Sequence, residues 1–116
     1  MSLRSNAGRG RASGATACLF AALGDETRLL LVGRLCRGGS QSIAQLTEGS
    51  RLTRQAVTKH LVTLRDASLV HGERRGREML FEFTPKPIEE ACKFLSQVSA
   101  LWDEALGRLK SFVEAP

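Results

Sequence analysis

Arg54, Gln55, Thr58, Lys59, Val62 and Arg65 recur at spacings of one and three residues, which places them along one side of a helix. Five of the six are polar, none is acidic, and Arg, Gln, Lys and Thr pair with phosphate oxygens and purine edges. Arginine reads guanine bidentately, glutamine reads adenine, and lysine and threonine more often hold phosphate. Within the same stretch, Leu52 to Val70, the residues Val57, Leu61 and Leu64 fall at i, i+4 and i+7, a narrow apolar stripe that seats a helix on a core. The pattern predicts a helix over 53–67 with one face for packing and the other for a DNA groove. Thr53 caps this helix and also sits where phosphate contact is available; Arg51 precedes it. His60 lies between the two faces, where packing or a phosphate contact is expected rather than catalysis.

The chain has 116 residues, 42% hydrophobic and 25% charged, with a net charge of +5 and a pI near 9.7, which suits one small domain and an anionic partner. The charge is concentrated. From Arg51 to Arg77 there are seven Lys or Arg against Asp66 and Glu73, whereas from Pro87 onward three bases face five acids. A basic middle suits phosphates and a mildly acidic end suits protein. No cluster of acid, base and nucleophile is evident, so the chain does not read as an enzyme.

The elements that must position the basic helix follow from caps and periodicity. Residues 1–14 carry Arg4, Arg9 and Arg11 among Gly, Ser, Asn and Ala, and read as a disordered basic tail before one domain over 15–116. From Ala15 the run ATACLFAAL gives a short helix closed by Gly24. Asp25 caps and Glu26 favours a second helix to about Arg37, with Leu30, Leu31 and Leu35 buried, ended by Gly38 and Gly39. Ser40 to Glu48 forms a third short element with Ile43 and Leu46 inward, followed by a turn at Gly49 and Ser50. Two short helices across a glycine-containing turn make a helix-turn-helix.

Val70–Arg74 and Glu78–Phe83 flank the turn Arg75, Gly76, Arg77, with Met79, Phe81 and Phe83 alternating as the buried face of a strand. A hairpin directly behind such a helix is a wing, tipped here by Arg74, Arg75 and Arg77. The fold class expected is mainly α with a small β-hairpin wing, in the order α-α-α-α-β-β-α.

After Pro85 and Pro87 one long helix is expected to about Val113. Ile88, Ala91, Leu95, Val98, Trp102, Ala105, Leu109 and Phe112 alternate spacings of three and four, a heptad stripe, which Cys92, Phe94, Leu101, Leu106 and Val113 widen. So broad an apolar face on so small a domain predicts a dimer interface, built from Leu95, Val98, Trp102, Leu106, Leu109 and Phe112 together with Leu19 and Phe20 of the first helix.

From Phe20 to Val113, about four-fifths of the chain, the sequence resembles the ArsR family of winged helix-turn-helix transcriptional repressors. The resemblance is carried by ALGDETRLLLVGRL, QAVTKHLVTLRDASLV, GREMLFEF and the Pro85–Pro87 turn into the Trp102 helix. It implies a homodimer whose first and last helices pair across a two-fold axis, with a recognition helix and wing from each subunit on a palindromic double-stranded DNA operator. Many members sense metals through two closely spaced cysteines in the helix before the turn, but here the matching stretch is Ser42, Ile43, Ala44, Gln45 and Leu46. Others use Asp and His on the last helix, and this chain has no histidine after His71. The chain is most similar to the branch without those sites, and neither metal nor cofactor is expected; the effector is unknown.

Cys18, Cys36 and Cys92 are odd in number and widely spaced, which argues for a reducing compartment and against a disulfide framework. With no signal-peptide pattern and no stretch of membrane-spanning length, a cytoplasmic location without membrane contact is expected. A cysteine from the second helix and one from the last form a thiol switch in some relatives, so Cys36 and Cys92 raise a redox or persulfide-sensing alternative. Their positions differ from that precedent, and burial as small hydrophobes is the plainer expectation. The remaining alternative is a winged-helix module whose heptad helix recruits another protein.

Overall fold

The computed structural model describes residues 7–115, with side chains from Gly14 onward. Eight elements follow one another: α1 (Ala7–Leu23), α2 (Glu26–Gly38), β1 (Gln41–Ser42), α3 (Ile43–Thr47), α4 (Arg54–Asp66), β2 (Val70–Arg75), β3 (Glu78–Phe83) and α5 (Lys86–Glu114). The expected helical and hairpin order is present, with two differences. Helix α1 starts at Ala7 and not near Ala15. Of the tail reading, residues 1–6, including Arg4, lie outside the described residues, as do the side chains of Arg9 and Arg11.

The second difference is β1. The pattern from Ser40 predicts a single short element, yet Gln41 and Ser42 pair antiparallel with Phe81 and Leu80 and make the sheet three-stranded, in the order β1-β3-β2. Two polar residues carry no alternation signal, and only the arrival of β3 makes them a strand. Ser42 then N-caps α3 within a reciprocal capping box: its hydroxyl accepts from Gln45 N at 3.1 Å, and Gln45 Oε1 accepts from Ser42 N at 2.9 Å.

Local chemistry sets the other boundaries. The Asp25 carboxylate accepts from Arg28 N at 2.9 Å at the start of α2, and Gly39, at φ 73°, ends it with its N–H on Leu35 O. The Thr53 hydroxyl accepts from Ala56 N at 3.1 Å and caps α4. Helix α4 closes in a Schellman arrangement, with Leu69 N bonded to Leu64 O and Ser68 N to Arg65 O, both at 2.9 Å. Leu64 and Leu69, both wholly buried, supply the hydrophobic contact of that motif. Ser68 occupies the position glycine prefers, at φ 62°. Two arginines finish other helices: Arg28 Nε donates to Ala22 O at 2.6 Å at the end of α1, and Arg34 donates to Leu46 O and Gln45 O at 2.6 and 2.9 Å at the end of α3.

The core lies where these elements meet: Leu19 and Ala22 of α1; Leu31, Val32 and Leu35 of α2; Leu46 of α3; Val57, Leu61 and Leu64 of α4; Leu69, Val70, Phe81 and Ala91. Leu30 is not among them. At 61% exposed it contradicts the expectation of burial, because a helix buries a stripe about 100° wide and Leu31, Val32 and Leu35 already occupy it. Leu19, at 2% exposed, is spent on this core and is therefore not a free interface residue as expected. On β3, Phe81 is buried and Phe83 half-buried, whereas Met79 near the hairpin tip is exposed and covers Gly72 of β2.

Candidate nucleic-acid interface

Val57, Leu61 and Leu64 are wholly buried, so α4 is fixed in rotation about its axis. That rotation leaves Arg54, Gln55, Thr58, Lys59, Val62 and Arg65 exposed, as their spacing predicts. The row is basic and carries no carboxylate. Thr58 is partly engaged: its hydroxyl donates to Arg54 O at 2.7 Å, which leaves its oxygen lone pairs for a partner. Thr53 is exposed as well as capping, and Arg51 is exposed in the turn before it.

His60 is placed differently. It is half-buried, with Nδ1 4.0 Å from the Asp25 carboxylate, so it lies against the start of α2 and not in the outward row. Of the two roles left open for it, packing is the one the geometry supports. The Arg28 backbone N–H and side chain, with His60, hold the Asp25 carboxyl below the usual carboxylate range against a smaller desolvation effect that pushes it up.

The wing is a hairpin pairing Val70 with Phe83 through to Arg75 with Glu78, joined by the two-residue loop Gly76–Arg77. Gly76 takes φ 63° and Arg77 does not take a positive φ, the pattern of a type II′ turn, whose twist suits a hairpin. Arg74, Arg75 and Arg77 are all exposed at its tip. Arg75 Nε donates to Glu73 Oε1 at 3.1 Å, a surface pair that a phosphate could displace at little cost.

One polar cluster was not legible in the sequence. Ser40 donates to Glu82 Oε2 at 2.9 Å, and the His71 ring bridges Glu82 Oε1 at 3.0 Å and Thr84 Oγ1 at 2.7 Å. The Ser40 hydroxyl first, and the His71 ring second, hold the Glu82 carboxyl below its ordinary range. The four groups come from positions 40, 71, 82 and 84 and meet only when β1, β2 and β3 align; period-two spacing of Glu82 and Thr84 on one strand face was the only sequence signal. Their bonds lie on the exposed surface of the sheet, and the arrangement clamps the strands together beside the wing.

The cysteines depart from the expectation of burial: Cys18, Cys36 and Cys92 are free and exposed. Donor sets for a metal do not fit the usual position, because Ser42 is a buried capping residue and Gln45 is bonded to its backbone. Among the described residues, no three His, Cys, Asp or Glu side chains converge. No described helix is long and apolar enough to cross a membrane.

No protein-family model matches the chain. Individual proteins do. It is 35% identical over 81 residues to the uncharacterised HTH-type transcriptional regulator YuzN of Bacillus subtilis, covering 65% of this chain and 88% of that protein. It is 31% identical over 78 residues to the arsenical resistance operon repressor of the same organism, covering 63% and 74%. Among solved structures, an ArsR-like transcriptional regulator from Rhodococcus sp. RHA1 superposes with a TM-score of 0.79 at 32% identity, covering 90% of this chain and 97% of that one.

Proposed function

The chain belongs to the ArsR family of winged helix-turn-helix transcriptional regulators, which bind DNA, and on that premise we propose that it is a homodimeric repressor of a palindromic operator. One observation carries the reading: the outward row of α4 is exposed, basic and rigidly oriented by a wholly buried inner row. In this reading α4 enters the major groove, where Arg54 and Gln55 read base edges while Lys59, Thr58, Arg65, Thr53 and Arg51 hold backbone. Arg74, Arg75 and Arg77 reach the flanking phosphates or minor groove. Bound at a promoter, such a dimer represses by occlusion.

The dimer is supported by α5. Of its 29 residues only Ala91 is buried, while Leu95, Leu101, Trp102, Leu106, Leu109, Phe112 and Val113 are each 49–81% exposed. The radius of gyration is 19.1 Å, against about 13 Å for a compact chain of this length, so the molecule is extended and not spherical. A second copy covers this face, with Phe20 of α1 at its edge, and in such a dimer the recognition helices lie about 34–36 Å apart, one turn of DNA.

Fluorescence anisotropy with operator fragments selected from genomic DNA tests the reading. Lys59→Ala and Arg75→Ala lower affinity for every sequence and flatten the salt dependence, by about 0.9 in slope for each phosphate left without its cation, whereas Gln55→Ala relaxes preference at one base. Affinity indifferent to salt and to all three substitutions contradicts it. A protein-recruiting module is distinguished by sedimentation, since it would stay monomeric alone.

A thiol-sensing version is favoured by one observation, the exposure of Cys36 and Cys92. Operator affinity then changes on persulfide treatment and stops changing in Cys36→Ser and Cys92→Ser. An unresponsive parent protein removes that version.

A further inference from the structure

A cleft of about 590 Å³ opens between α2 and the turn that joins α3 to α4. Its apolar wall is made by Leu30, Leu31, Leu46 and Leu52. Leu31 and Leu46 are buried and Leu52 half-buried, but Leu30 stands 61% exposed at the mouth, an apolar side chain left uncovered among the described residues. The rim is basic. Arg34 is committed to the carbonyls of Leu46 and Gln45, whereas Arg37 and Arg51 have no hydrogen bond or ion pair among the described residues, and Glu48 is the one acid in the lining.

A largely apolar concavity of this volume with a few charged groups at its edge is the usual form of a small-molecule site. We infer that it binds an amphipathic organic monoanion, with an apolar body against the leucines and a carboxylate held by Arg51 and Arg37. The guanidinium fork suits a carboxylate bidentately, and the adjoining low-dielectric wall strengthens that contact. A phosphate group alone gains nothing from the leucine wall, and a neutral ligand leaves the arginines unused. Arg51 precedes the Thr53 cap by two residues and is among the residues assigned to DNA backbone, so a bound anion competes with DNA for it; this second half rests on the function proposed above.

Decanoate titrated into isotopically labelled full-length protein without DNA, followed by amide chemical shifts, tests the site itself. The expected result is saturable shifts at Leu30, Gly49, Ser50 and Arg51, weakened at least about tenfold by Arg51→Gln and by Leu30→Gln, and at least about tenfold with decanol in place of decanoate. Both substitutions fall on exposed side chains, so folding survives them. Shifts confined to the α5 face, shifts indifferent to both substitutions, equal binding of decanol, or the same shifts from inorganic phosphate would each overturn the site. With the site established, decanoate should raise the apparent Kd for operator DNA in the parent and not in Arg51→Gln. An unchanged Kd overturns the competition alone, and absence of any DNA binding beside intact decanoate shifts refutes the DNA reading and leaves the cleft standing.

Discussion

Leu61 and Val62 are consecutive on α4, about 100° apart around its axis, Leu61 wholly buried and Val62 38% exposed. Truncating each to alanine separates the packing face from the outward face. Leu61→Ala removes a wholly buried side chain of the core cluster, and leaves a cavity that its neighbours cannot all close. Leu→Ala at such sites costs about 3 kcal/mol, a large share of the roughly 5–15 kcal/mol that holds a typical domain folded. Val62→Ala removes two methyl groups already in contact with water and costs no more than about 0.5 kcal/mol. Urea unfolding followed by far-UV circular dichroism reads both. With a slope of about 1–3 kcal/mol per molar urea, Leu61→Ala lowers the midpoint by about 1–3 M and Val62→Ala by less than about 0.5 M. All samples are compared at one protein concentration, because a dimer's midpoint moves with it. Midpoints that fall equally, or a Leu61→Ala loss below about 1 kcal/mol, would refute the rotation assigned to α4 and with it the outward basic row.

Thr53→Ala removes the hydroxyl that accepts from Ala56 N and should cost about 1 kcal/mol in the same assay, with Thr53→Ser restoring most of it. Ser68→Gly should gain up to about 1 kcal/mol by relieving the left-handed backbone at φ 62°; a loss there would mean the serine side chain contributes more than its strain. Glu82 is held below its ordinary pKa chiefly by Ser40, so it stabilises the fold at pH values above its unfolded titration and loses that contribution as pH falls through the lower folded value. Below about pH 4.5 the parent should therefore lose stability more steeply than Glu82→Gln, and parallel pH profiles would contradict the clamp. Leu109→Glu places a charge on the exposed α5 stripe and should yield monomers in sedimentation equilibrium without a lower helix content; an unchanged association state would move the interface elsewhere.

Features that rest on short-range rules were legible in the residues alone. The two faces of α4 follow from helical period, the boundaries at Asp25, Thr53 and Gly39 from capping chemistry, and the Gly76 hairpin from the positive φ its turn requires, so none of them depends on packing. Packing chose which of several apolar residues each helix buries. Four consecutive apolar positions on α2, Leu29 to Val32, offer more hydrophobic surface than one stripe holds, and only contact with α4 and the sheet selected Leu31 and Val32 and left Leu30 outside. The same holds for Leu19, claimed by the core, and for the strand at Gln41–Ser42, which exists because β3 arrives beside it. Ser40, His71, Glu82 and Thr84 meet only across strands, and Arg28 and Arg34 became helix caps because carbonyl ends from other elements came within reach. Period and capping act over one or two turns of chain, whereas burial and cross-strand bonding depend on groups distant in sequence.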